Sequence, residues 1–204
     1  IKKLSSKFKN GKLLDFGCGS KPYKSLFNVD EYIGLDTHNS GHLHINENID
    51  VLYDGKKIPF DDNYFDHIFS SEVLEHVFNI NETMSELNRV LKINGKILIT
   101  LPFAWGEHEQ PYDFARYTSF GLKSLLKNNG FEIVEQVKTA NYIETVFQIL
   151  TAYLYHSVVP KGLRTILTLI LIAPLNILGL FLGKILPRDK TLYLNNIMLC
   201  IKIK

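Results

Sequence analysis

The stretch Leu13–Tyr23, LLDFGCGSKPY, sets an acid, Asp15, beside two glycines one residue apart, Gly17 and Gly19. Glycines so spaced let a backbone turn tightly and let a ligand approach it closely. If the stretch runs from a strand through a turn into a helix, backbone N–H groups face the ligand at a helix N-terminus. A dinucleotide would also need a third glycine for close helix–strand packing, and Pro22 stands in that place. A ligand without phosphates needs only the first two, with Asp15 holding the turn or meeting a cationic group. Asp36 follows 17 positions beyond Gly19, and a carboxylate there can accept both hydroxyls of a ribose. S-adenosylmethionine meets these requirements; Asp36 alone would suit NAD equally well.

The elements that must position these residues alternate along the chain. KLLDF, YIGLD, IDVLYD, FDHIFSS and KILITLP read as five strands, with FEIVEQV a sixth and LYLNNIMLCIKIK a seventh. Between the fourth and fifth, Asn79 and Glu82 are spaced as a capping box. Met84, Leu87, Val90 and Leu91 then share a helical face, and Gly95 is placed to close the helix. Thr118 is placed to cap a second helix that Gly130 ends. Such alternation predicts an α/β fold, a doubly wound and mostly parallel sheet.

With these residues in place, the chain resembles the class I S-adenosylmethionine-dependent methyltransferases, particularly the small bacterial group often called type 11. LLDFGCGS, YIGLD, YDGKKIPFDDNYFDHIFSSEVLEHV and LNRVLKINGKILITLPF carry the resemblance, over about Leu13 to Val137. It implies a Rossmann-like sheet of seven strands in the order 3-2-1-4-5-7-6. It also implies that Asp15, Gly17 and Gly19, with the Cys18 backbone, line the methionine end of the cofactor. Asp36, with Thr37, would bind the ribose; Asp54 and Gly55 would meet the adenine; Ser71 and Glu72 would border the sulfonium. Ser20 departs from the family's last loop glycine. Each acid has a plainer use, Asp15 as an acceptor in its own turn and Asp54 as the start of a turn with Gly55.

After the fifth strand, PFAWGEHEQPYDFARYT gathers His108, Tyr112, Asp113, Arg116 and Tyr117 in a loop. Loops in that position commonly carry function. His108 is the candidate general base, since an imidazole titrates near neutrality, and Tyr112, Arg116 and Tyr117 are the candidate acceptor contacts. The alternative is that His108 orients the loop and Arg116 pairs with Asp113. His76 is more often a packing residue at such a place. No metal is expected: His42 and His44 lack acidic or thiol partners nearby. Cys18 reads as a small packing residue.

The chain has 204 residues and a formal charge of +2, too little for a general grip on nucleic acid. Two cysteines, Cys18 and Cys200, without a C-x-x-C pair point to a reduced, cytoplasmic compartment. The charge is uneven: residues 142–204 carry seven basic side chains against two acids. Within them Thr165 to Gly183 has no ionisable side chain. The organisation expected is a cofactor-binding core over 1–141, an apolar helical insertion over 142–190 and a returning strand over 191–204. Pro174, Asn176, Gly179 and Gly183 suggest two shorter helices in the insertion. It would roof the site, form a homodimer surface, or contact a membrane peripherally at its inner face; packing within protein is favoured, since short apolar helices are more often buried. The expected partner is a small-molecule, glycan-like or lipid-linked acceptor, methylated at oxygen. A non-catalytic scaffold and an NAD-dependent oxidoreductase are the rivals.

Overall fold

A computed structural model describes residues 1–37 and 48–204. His42 and His44 lie outside the described residues. The chain forms two compact units: Ile1–Pro102 with Glu107–Val137 and Asn196–Lys204, and Phe103–Gly106 with Lys138–Asn195.

The first unit opens with a helical turn, α1 (Lys2–Ser5), and is organised by β1 (Lys12–Phe16), β2 (Glu31–Thr37), β3 (Val51–Tyr53), β4 (Phe65–Ser71), β5 (Leu91–Pro102), β6 (Phe131–Lys138) and β7 (Asn195–Lys202). The sheet order is β3-β2-β1-β4-β5-β7-β6, as the resemblance implies. β1 pairs in parallel with β2 and β4, β2 with β3, and β4 with β5, so these strands end on one edge. Successive side chains point to opposite faces of a strand. Leu14, Ile68, Ile97, Ile99, Met198 and Cys200 therefore pack in one core layer, and Leu13, Phe69, Leu98, Ile197 and Leu199 in the other. Two buried faces explain why these strands read as nearly continuous apolar runs.

Three local expectations fail. The helix α2 (Ile80–Val90) forms, but the Asn79 side chain makes no cap, and Gly95 lies inside β5. Leu91 turns extended at once, and Asn94, at φ 63°, takes the left-handed position expected of the glycine. The glycine turn leads into a 3₁₀ turn over Lys24–Leu26, not a helix. Pro22 cannot donate a backbone hydrogen bond, and Lys21 already sits at φ 57°. By contrast α3 (Ser119–Asn128) is capped as expected, the Thr118 hydroxyl accepting the Gly121 N–H, and Gly130 closes it at φ 82°.

The second unit is a pair of packed helical stretches. α4 (Tyr142–Tyr153) starts at a capping box in which the Asn141 side chain accepts the Glu144 N–H and the Glu144 side chain accepts the Asn141 N–H. α5 (Arg164–Leu167), a π-helical segment (Thr168–Ile172) and α6 (Ala173–Ile185) belong to one helical run, Lys161–Ile185. The two short helices expected from the Pro and Gly positions are thus one. The wider π turn directly before Pro174 accommodates a residue that has no N–H and would clash with a regular preceding turn.

Candidate active site

The carboxyl ends of β1 to β4 bring the nucleoside-binding candidates to one edge of the sheet, where open α/β sheets bind ligands. Gly17 leaves β1 at φ 72°, and a Cβ there would come within 2.3 Å of the Val73 side chain. The N–H groups of Gly17 and Cys18 donate to the Leu35 carbonyl at 2.9 and 3.2 Å, and the Lys21 N–H to the Cys18 carbonyl at 2.8 Å. The Gly19 N–H donates to Asp36 Oδ2 at 2.9 Å, while Asp36 Oδ1 accepts the Thr37 N–H at 2.8 Å. The loop amides are thereby committed to the protein. With no helix behind them, they offer no cradle for a pyrophosphate.

The charges agree. Asp15 is buried, and desolvation lifts its pKa to about 6 against the opposing hydrogen bond from the Tyr32 hydroxyl at 2.5 Å. Burial also pushes the Cys18 thiol up to about 12, which makes it a packing group and a poor nucleophile. Asp50 accepts Lys21 Nζ and the Gly34 N–H, each at 2.6 Å. Burial works against its ionisation, yet these donors hold its pKa below the usual range. Acids therefore outnumber cations around the turn, an environment for a sulfonium and a diol. The residues present fit S-adenosylmethionine.

Asp54 and Gly55 are exposed at the end of β3. Asp54 Oδ1 accepts the Lys56 N–H at 2.9 Å, which holds its carboxyl below the usual range, and Gly55 turns at φ 80°. This is the turn that the plainer reading of Asp54 requires. At the end of β4, Ser71 Oγ and Thr100 Oγ1 are 2.8 Å apart, and the Thr100 hydroxyl donates to Glu72 at 2.6 Å. Glu72 sits at φ 55°, strained for a residue with a side chain; such strain gathers where a fold aims a group.

The loop after β5 brings His108, Asp113 and Arg116 together. Asp113 Oδ2 accepts the His108 N–H at 3.0 Å and lies 3.3 Å from His108 Nδ1. Arg116 grips the same carboxylate with both terminal nitrogens, at 2.5 and 2.6 Å, and its guanidinium holds Asp113 at a pKa of about 2. That pairing belongs to the plainer reading of Arg116, and it is mostly buried. Tyr112 is exposed; Tyr117 packs against the core and accepts the Asn196 side-chain N–H at its carbonyl.

His76 lies in a 3₁₀ turn, Leu74–His76, its ring edge-on to that of His108 at 4.8 Å between centroids. Its Nδ1 is 2.8 Å from the Tyr112 carbonyl, and its Nε2 is 3.6 Å from Glu109. Beside it Glu75 is fully buried with neither carboxylate oxygen hydrogen-bonded, and burial raises its pKa to about 8. Donor atoms of Glu75, His76 and His108 lie within 4.8 Å of one another, so the three could hold a cation. Sequence reasoning missed Glu75, Asp50 and Tyr32. For Glu75 the available signal was an acid set among Val73, Leu74 and Val77.

A seven-stranded sheet in this order, with acids at successive strand ends around a glycine turn, defines the class I S-adenosylmethionine-dependent methyltransferases. Residues 1–136 match the family model described as methyltransferase domain, and the chain belongs to that family. Over 69 residues, 32% of the chain, it is 35% identical to phosphoethanolamine N-methyltransferase 2 of Caenorhabditis elegans. Over 65 residues, 31% of the chain, it is 38% identical to the ubiquinone/menaquinone biosynthesis C-methyltransferase UbiE of Cupriavidus taiwanensis. The matched stretches span 16% and 26% of those relatives' lengths. The fold is shared with phosphoethanolamine N-methyltransferase 2 of Haemonchus contortus in complex with phosphomonomethylethanolamine and S-adenosylhomocysteine. That likeness has a TM-score of 0.56 at 16% identity, covering 97% of this chain and 50% of the other.

Proposed function

We propose that this chain transfers the methyl group of S-adenosylmethionine to a hydroxyl oxygen of a small-molecule acceptor, glycan-like or lipid-linked, on the cytoplasmic side. The observation that carries the reading is the glycine turn whose amides are satisfied by Leu35, Cys18 and Asp36, ringed by acids. Family membership and the two free, buried cysteines support it.

When bound, the cofactor supplies an electrophilic methyl on a sulfonium. Asp15, Gly17, Gly19 and the Cys18 backbone would line its methionine end, Asp36 and Thr37 would bind its ribose, Asp54 and Gly55 would meet its adenine, and Ser71 and Glu72 would border the sulfonium. Positioning supplies much of the barrier reduction in an in-line displacement. His108 takes the acceptor proton on Nε2. Asp113 orients the ring through Nδ1 and stabilises the imidazolium that forms, while Arg116 fixes Asp113. Tyr112, Arg116 and Tyr117 contact the acceptor. Segments 1–141, 142–190 and 191–204 serve as core, insertion and returning strand, and the reaction needs no nucleic acid.

The test is to incubate the chain with methyl-labelled S-adenosylmethionine and, separately, soluble and lipid extracts of cells. Label that enters an alkali-stable ether supports oxygen transfer, and the extract that takes it names the acceptor class. Label at nitrogen or carbon, or none in either extract, would overturn the oxygen assignment.

A further inference from the structure

In the second unit the helix–helix contact buries polar side chains, while many large apolar side chains are exposed. α4 and the run Lys161–Ile185 pack antiparallel: a Cβ on Gly179 would come within 2.5 Å of Phe147, and one on Gly183 within 2.6 Å of Glu144. Glycines four apart let two helices approach closely, a device typical of helix pairs in lipid. Between the helices the Thr151 hydroxyl donates to the Asn176 side chain at 2.9 Å, and the Asn141 side chain donates to the Gly183 carbonyl at 2.8 Å. Thr145 and Thr151 are 0% and 2% exposed. Outside, Leu169 and Ile170 are 68% and 67% exposed, and Ile177, Leu180, Phe181, Tyr153 and Val158 are exposed as well. Water as the solvent would select the reverse arrangement.

The run has 25 residues, and its apolar 18-residue window has a mean hydropathy of 2.4 with only 17% of it buried. At 1.5 Å per residue it is about 37 Å long, enough for a hydrocarbon core of about 30 Å. Leu169, Ile170 and Leu171 are consecutive and all exposed. Three consecutive residues of a helical turn point in widely separated directions, which suits a surrounding solvent better than one protein face. Lys161, Arg164, Lys184 and Arg188 flank the apolar surface, and no acid occurs from Thr145 to Arg188. Such cations complement anionic headgroups.

We propose that the helical hairpin over residues 142–185 inserts into an anionic phospholipid bilayer, its leucine, isoleucine and phenylalanine side chains in the acyl region and Lys161, Arg164, Lys184 and Arg188 at the headgroups. The chain leaves at β6 and returns at β7, neighbours in one sheet, so a hairpin meets the bilayer from one side. The inference is independent of the methyl-transfer reading.

The test is flotation of the full chain with phosphatidylcholine vesicles, with and without phosphatidylglycerol. The chain should float with the mixed vesicles and stay bound in high salt. Ile170→Asp combined with Ile177→Asp and Phe181→Asp should lower partitioning by at least about ten-fold. Lys161→Glu with Arg164→Glu, Lys184→Glu and Arg188→Glu should remove the preference for phosphatidylglycerol. Circular dichroism checks that both variants keep their helices. Wild-type chain that stays monodisperse below the vesicles would overturn the proposal. So would a cross-linked dimer that does not float, or an aspartate variant that floats like the wild type.

Discussion

The strand-end site and the helical hairpin solve opposite problems with the same residue types. At the site, the acids Asp15, Glu75 and Asp36 are buried. In the hairpin the buried polar side chains Asn141, Thr145 and Thr151 are short and neutral, and Asn141 and Thr151 bond across to the facing helix, while many large apolar side chains are exposed. Burying a charge is costly unless something compensates it, whereas an exposed leucine costs little in the right solvent.

The comparison can be broken at either end. The largest effect is expected from His108→Ala, which should lower turnover by about 10²–10⁴ and leave S-adenosylhomocysteine affinity unchanged. Turnover within a few-fold of wild type would remove the base assignment. Asp36→Ala should weaken S-adenosylhomocysteine binding by roughly a hundred-fold through the lost charge-assisted hydrogen bonds, with vesicle flotation unaffected. If flotation fell too, the two regions could not be treated as separate devices.

Smaller effects sharpen the contrast. Gly179→Leu should force the hairpin helices apart against Phe147, costing about 1–3 kcal/mol of hairpin stability, read by hydrogen exchange in α4 and α6. Exchange in β1 and β2 should not change. Glu75 holds a proton in the folded state up to about pH 8, well above its ordinary value. Its stabilising contribution is therefore complete below the unfolded pKa and is lost as pH rises through about 8. Glu75→Gln cannot ionise, so its melting temperature should fall less than that of the wild type between pH 5 and pH 9, by about 5 °C. Equal slopes would mean that Glu75 is solvated or paired. Chelation should leave turnover unchanged, and activity that returns only with added zinc would reassign Glu75, His76 and His108 to a metal.

Much of the site was legible because it follows from strand periodicity: once the apolar runs are placed, Asp36, Asp54 and Ser71 must fall at successive strand ends. The Asp15 to Tyr32 and Lys21 to Asp50 pairs were not, because they depend on β1 lying beside β2 in a particular register. For Glu75 the local signal was confined to its apolar neighbours Val73, Leu74 and Val77, because little else distinguishes a buried acid from an exposed one in a short turn. In the tail, Pro174 and the glycines read as breaks. The structure uses them for a π turn and a close helix contact, roles that exist only when the second helix is present.

The central claim is a phosphate-free nucleoside site at the carboxyl ends of β1 to β4. It is tested most directly by calorimetric titration of the purified chain with S-adenosylhomocysteine and, separately, with NAD. Saturable binding of S-adenosylhomocysteine in the micromolar range, with no heat from NAD, is the predicted result. Binding of NAD alone would contradict the cofactor assignment and every residue role that depends upon it.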